Sequence, residues 1–179
     1  NLNIKHDLTQ KDASITFDLD YAGYRTDRNE NFDARFLDAA YSQTNVSNLR
    51  NIVDAKIDVF AAKTDFTWPF SKTLKFESGL KSSIVNTNND FVSEQLNNGE
   101  WTDALGRSNL FLYKENINAA YTNLSKNWKK WQMQLGLRAE HTHSKGHSIT
   151  SNKLVNRDYV SLFPSIFIKQ ELDKSNSLN

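Results

Sequence analysis

The chain has 179 residues, with 22 Lys and Arg against 21 Asp and Glu for a net charge of +1, and no cysteine. Near-neutral charge excludes a protein that grips nucleic acid electrostatically, and the lack of thiols excludes disulfide frameworks, thiolate metal sites and cysteine nucleophiles. Two prolines, six glycines and 12% aromatics exclude collagen-like and disordered chains, while a mean hydropathy of −0.65 without any apolar run near ~20 residues excludes helical membrane spanning but not barrel spanning.

The chain opens without an initiator Met, and no basic segment followed by an apolar stretch marks a signal peptide. Asn1-Leu2-Asn3-Ile4 starts as an alternating strand, and Ser177-Leu178-Asn179 stops as another begins. The expectation is a piece of a longer protein.

Between those ends the hydrophobic period is two. Ile15, Phe17, Leu19 and Tyr21 alternate with Thr16, Asp18 and Asp20. Val53, Ala55, Ile57, Val59 and Ala61 then face away from Asp54, Lys56 and Asp58. Leu74, Phe76, Leu80 and Ile84 oppose Lys75, Glu77, Gly79 and Lys81. Phe111, Tyr113, Ile117, Ala119 and Tyr121 alternate with Lys114, Asn116, Asn118 and Thr122. Trp131, Met133, Leu135, Leu137 and Ala139 alternate with Gln132, Gln134, Gly136, Arg138 and Glu140. A last strand, roughly Tyr159 to Gln170, has no clear facing, because Phe163 and Phe167 oppose Val160, Leu162, Ile166 and Ile168. Pro164 cannot donate to a ladder and predicts a bulge or an edge there.

Successive strand side chains point to opposite faces, so each strand has one apolar and one polar wall. The polar wall of the five clear strands holds eleven charges: Asp18, Asp20, Asp54, Lys56, Asp58, Lys75, Glu77, Lys81, Lys114, Arg138 and Glu140. The apolar wall holds Glu115. A Lys or Arg facing lipid costs about 2–4 kcal/mol at the bilayer midplane, so a clean wall is what lipid contact demands.

Connections alternate in length. Short turns are predicted at Asp7–Asp12, Thr67–Lys72, Ser125–Lys129 and Asp173–Asn176, and long polar loops at Thr26–Arg50, Thr87–Ser108 and Ser144–Arg157. In a meander the two kinds gather at opposite ends, as in outer-membrane barrels. The first long loop has Phe32, Phe36, Ala39 and Ala40 at helical spacing, which allows a short helix. Strands of roughly 13–15 residues would cover about 43–50 Å, well beyond the average sandwich strand. Phe66, Trp68 and Phe70 around one short turn, with Trp128 and Trp131 around another, suit a membrane-interface girdle. A hydrophobic plug in a soluble sandwich would use the same residues.

Gly136-Leu137-Arg138-Ala139-Glu140-His141-Thr142, Ser161-Leu162-Phe163-Pro164-Ser165, Asn176-Ser177-Leu178 and Asn118-Ala119-Ala120-Tyr121 together resemble the barrel of TonB-dependent outer-membrane receptors. The resemblance covers nearly the whole chain. It implies an all-β, antiparallel up-and-down meander that forms part of a transmembrane barrel in the outer membrane of a Gram-negative cell. It implies that residues 1–179 are one partial barrel segment of about eight strands, the first and last incomplete, with the plug domain absent. Such receptors import an iron chelate, cobalamin or a glycan with energy relayed by TonB. The implied partners are outer-membrane lipid, TonB through a missing N-terminal region, and a small-molecule or glycan ligand, with no nucleic acid.

Candidate sites are few. His141, His143 and His147 form the one metal-like cluster, but interfacial histidines need no metal, and neither a metal nor a cofactor is expected. Arg138 and Glu140 are lumen candidates for ligand contact; a stiffening ladder of cross-strand bonds is the plainer role. Trp101, in an Asn-rich stretch, either stacks on a ligand ring or anchors its loop. Asn86-Thr87-Asn88-Asn89-Asp90 lacks the calcium-loop pattern. No catalytic motif is found, so an enzyme is not expected. The alternative is a soluble β-sandwich or lipocalin-like binding module with the same alternation turned inside out.

Overall fold

The computed structural model describes residues 1–9, 12–172 and 177–178. Nine strands occur among them: β1 (Leu2–Asp7), β2 (Ser14–Leu37), β3 (Gln43–Ser71), β4 (Leu74–Asn97), β5 (Glu100–Asp103), β6 (Asn109–Asn127), β7 (Trp131–Ser148), β8 (Lys153–Glu171) and β9 (Ser177–Leu178). They form one antiparallel sheet in the order β1-β2-β3-β4-β6-β7-β8-β9, with β5 pairing the upper part of β4. The meander is as the alternation predicts.

A single layer decides against the sandwich and lipocalin readings. Either would bury large apolar side chains between two walls. Among the described residues the buried hydrophobic ones are Ala13, Ala104 and Ala119, and Ser93 is the largest fully buried side chain. Leu2, Phe17, Leu80, Leu135, Leu162 and Ile166 stand 40–68% exposed. No second layer of the described residues covers this apolar surface.

Cross-strand pairing fixes which residues share a face, since directly opposed residues point the same way. Ala119 is 7% exposed and Ala120, the same side chain one residue on, is exposed. Ser93, Ser125, Thr142 and Ser144, 1–8% exposed, lie on the Ala119 face. We assign the crowded face as the inner one, because side chains converge there. Traced through the registers, the outer face shows Ile15–Tyr21 on β2, Phe60–Trp68 on β3, Leu74–Ile84 on β4, Ala120–Leu124 on β6, Trp131–Ala139 on β7 and Val160–Ile168 on β8. No outward residue of these segments is charged. On β3, β4, β7 and β8 the belt covers 9, 11, 9 and 9 residues, the ~9–11 that a tilted strand needs to cross a bilayer. Phe66 stacks on Trp68 at 5.9 Å on its turn side, with Trp131 on the same face.

Two facing expectations are overturned. Val53–Ala61 and Phe111–Tyr121 put their odd-numbered, apolar residues on the inner face, and Asp54, Lys56, Asp58 and Lys114 lie outside, above the belt. Glu115, the apparent flaw in the apolar wall, is thereby an inner residue. Alternation divides a strand into two faces, but only pairing to a neighbour says which face is which. On β8 the same pairing settles the facing: Val160, Leu162, Pro164, Ile166 and Ile168 outside, Phe163 and Phe167 inside. Pro164 sits in an unshifted register on a strand edge, not at a bulge.

The long loops are also corrected. Thr26–Arg50, Thr87–Ser108 and Ser144–Arg157 are largely strand, joined by compact turns. At Asp38–Ser42, Asp38 Oδ1 accepts from the Ala40 and Ser42 amides at 2.9 and 2.8 Å, and Tyr41 takes φ 61°, so no helix forms around Phe36. Asn98-Gly99 closes β4 onto β5 with φ 53° and 86°, values that suit a two-residue hairpin. These stretches are polar because their strands leave the hydrocarbon, not the sheet. Strands of 18–29 residues result, longer than expected. At the other end Lys72-Thr73 and Trp128–Lys130 are short turns as predicted; the turn at Asp173–Asn176 lies outside the described residues.

The new facing is testable at neighbouring positions. Phe60→Lys should lower the folded yield in lipid severely and Ala61→Lys only mildly, because Ala61 faces inward. Equal losses, or the reverse order, would return β3 to the facing expected from alternation.

Candidate functional site

The inner face carries two polar zones. The lower one, level with the belt, is a chain of side chains across four strands. Lys63 pairs with Asp65 on β3 at 2.6 Å, Tyr121 on β6 donates to Asp65, the Arg138 guanidinium on β7 lies 5.6 Å from the Tyr121 ring, and Arg138 pairs with Glu140. β4 stands between β3 and β6, and Gly79 lets Tyr121 cross it. A Cβ there would lie 2.5 Å from Tyr121 Cζ and 2.7 Å from the Thr64 carbonyl oxygen. Gly136 does the same one row on, where a Cβ would meet Asn123 Oδ1 and Ser165 Oγ at 2.5 Å. Arg138 and Glu140 thus lie on the inner face, bonded into the wall.

The upper zone is a depression of about 340 Å³ on the loop side of the belt, lined by Phe111, Tyr113, Gly146, Val155, Lys153 and Arg157 among others. All six are inner-face residues. Phe111 and Tyr113 are stacked at 6.4 Å and 16°, and Gly146 leaves the Phe111 ring room to lie over β7, with 3.3 Å between Phe111 Cζ and a Cβ built there. Tyr113 donates to Glu115 at 2.8 Å. Burial first, and then that bond, push its phenol above the usual range. No carboxylate among the described residues pairs with Lys153 or Arg157, which leaves two cations beside an aromatic wall. Sequence reasoning missed this pocket because it placed Phe111 and Tyr113 outward and read Ser144–Arg157 as a loop. The even spacing of Lys153, Val155 and Arg157 was the usable signal.

Trp101 faces outward on β5, opposite Leu96, with the Arg50 guanidinium 4.6 Å above its ring and Arg50 paired to Glu94. This is an anchored hairpin rather than a free loop. His141 and His143 lie on the outer face just above the belt, where His141 Nε2 and His143 Nδ1 each donate to an Asp158 oxygen at 2.9 Å. These bonds hold the Asp158 carboxyl below the usual carboxylate range. Their stabilisation is present above the ordinary carboxylate pKa and fades as pH falls through the depressed value. Among the described residues, no three His, Asp or Glu side chains are arranged to hold a metal ion.

A one-layer antiparallel wall with an uncharged outer belt and a polar, hydrogen-bonded inner face is the wall of a membrane β-barrel. The chain belongs to the outer membrane protein beta-barrel family, which matches residues 6–179, and its place is the outer membrane. Among solved structures it is similar to the ferric citrate transporter FecA in the unliganded form, at 12% identity and a TM-score of 0.50, over 90% of this chain and 26% of that one. The likeness is one of fold, and the chain spans about a quarter of that transporter's length. No curated protein matches the sequence.

Proposed function

We propose that this chain is a sector of the barrel of a TonB-dependent receptor that imports a nutrient across the outer membrane. The observation that carries the reading is the upper inner-wall pocket, where Lys153 and Arg157 stand beside the stacked Phe111 and Tyr113 at the loop-side mouth. Two unpaired cations beside flat apolar rings suit an anionic ligand with a ring or chelate face, so an iron chelate is favoured over cobalamin or a neutral glycan. Arg138 and Glu140 serve as wall ladder, not as ligand contacts. No catalytic role is proposed.

Residues 1–179 act as one segment of the wall. The unpaired edges of β2 above Leu19 and of β8 above Gln170, from Lys153 to Lys169, are where further barrel strands would pair. A plug and a TonB-contacting segment would come from parts of the protein outside this sequence.

Uptake tests the reading. Cells carrying the intact protein should accumulate a labelled ferric carboxylate chelate, and deletion of either this protein or TonB should abolish the gain. Lys153→Gln with Arg157→Gln should weaken chelate binding roughly tenfold or more, since each charge-assisted bond contributes about 1.5–3 kcal/mol. Uptake that persists without the protein, or binding indifferent to both cations, would sink the proposal.

A further inference from the structure

On the outer face above the belt, one opposed pair of like charges stands without compensation. Like charges directly opposed across strands repel. Arg25 faces Lys56, Asp27 faces Asp54, Asp54 faces Asp90, Lys63 faces Lys81 and Glu94 faces Asp103. In each of these pairs at least one member has an opposite charge at hand. Arg25 bridges Asp27 and Asp54, Lys56 pairs with Asp58, Lys63 with Asp65, and Arg50 with Glu94. Lys114 on β6 faces Lys145 on β7, and neither has an ion-pair partner among the described residues. They line an outward depression of about 480 Å³ with Lys56, Asp58 and His147. Its three lysines against one aspartate make the depression cationic.

Directly below, the belt is hollowed. Ala62, Ser82, Ala120 and Ala139 floor an outward groove of about 510 Å³ walled by Phe17 and Val160. Asn118 and His141 stand opposite each other at its upper end, four residues below Lys114 and Lys145, or about 13 Å along the strand. Cations just above a shallow apolar groove match an amphiphile with anionic groups at the headgroup level and acyl chains beneath. The groove lies at membrane depth, so its occupant reaches it from the bilayer.

We propose that the outer wall binds a phosphorylated lipid of the surrounding leaflet, its phosphate between Lys114 and Lys145 and an acyl chain over Ala120 and Ala139. The bound phosphate supplies the counter-charge that the protein omits. This site rests on the membrane placement alone and is independent of the nutrient ligand.

The test uses the intact protein in phosphatidylcholine nanodiscs doped with either bisphosphorylated lipid A or its dephosphorylated analogue, with retained lipid counted by native mass spectrometry. Wild type should retain the phosphorylated form about tenfold better, and Lys114→Gln with Lys145→Gln should remove that preference. Lys126→Gln, an outward lysine on the turn side of the belt, should leave it intact. Three results would overturn the proposal: no preference in the wild type, a preference that survives the double substitution, or displacement of the lipid by millimolar inorganic phosphate, which would mark a site for soluble anions. Because both lysines are exposed, heat-modifiable gel mobility should confirm that the variants fold.

Discussion

Leu135→Lys is expected to cripple assembly in the membrane, and Gln134→Lys, one residue earlier, to be nearly silent. Leu135 sits at the centre of the outward Trp131–Ala139 segment, in a row with Trp68, Phe76, Leu124 and Ile166. A lysine there meets the hydrocarbon midplane and costs about 2–4 kcal/mol, a large share of a typical folding free energy. Gln134 points into the lumen beside Ser125 and Phe167, where a charge stays wet. Urea unfolding of the intact protein in lipid vesicles would measure both. Equal destabilisation would mean that Leu135 does not face lipid, and the whole outer belt would fall with it.

The second large effect is expected at Gly79. Gly79→Ala places a methyl where the Tyr121 ring and the Thr64 carbonyl already sit, both nearer than 3 Å to the added carbon. Overpacking of this kind costs about 1–3 kcal/mol, and it expels Tyr121 from its bond with Asp65 and from beneath Arg138. Tyr121→Phe keeps the ring and loses only the hydroxyl, so it should cost about 1 kcal/mol. Added to Tyr121→Ala, Gly79→Ala should cost less than it does alone, with the remainder assigned to Thr64. A double-mutant cycle by chemical unfolding reads this coupling directly. Strict additivity would show that Tyr121 does not lie across Gly79.

Alternation was legible because the side-chain period of an extended chain is local, whereas β5 was hidden within the expected loop Thr87–Ser108. Ile15–Tyr21, Leu74–Ile84 and Trp131–Ala139 read correctly as outward faces, since each lies within the belt and its alternate residues are polar. Val53–Ala61 and the upper part of Phe111–Tyr121 alternate just as clearly but lie above the belt, where the outer face meets water and the inner face is the apolar one. Read locally, the two situations are the same string turned over. The polar segments around Glu30, Asn89 and Ser148 hid strands for a related reason: out of hydrocarbon, neither face need be apolar.

By itself, then, the sequence determined a one-sided antiparallel meander, the end at which its short turns lie and the outward facing of three strands. Only the tertiary structure decided the facing of β3, β6 and β8, the length of the wall above the membrane, the bridge from Lys63 to Glu140 across Gly79, the pocket at Lys153 and Arg157, and the opposed Lys114 and Lys145. Each depends on the register between strands far apart in the chain, and a register is set by hydrogen-bonded pairing that a period of two within one strand does not contain.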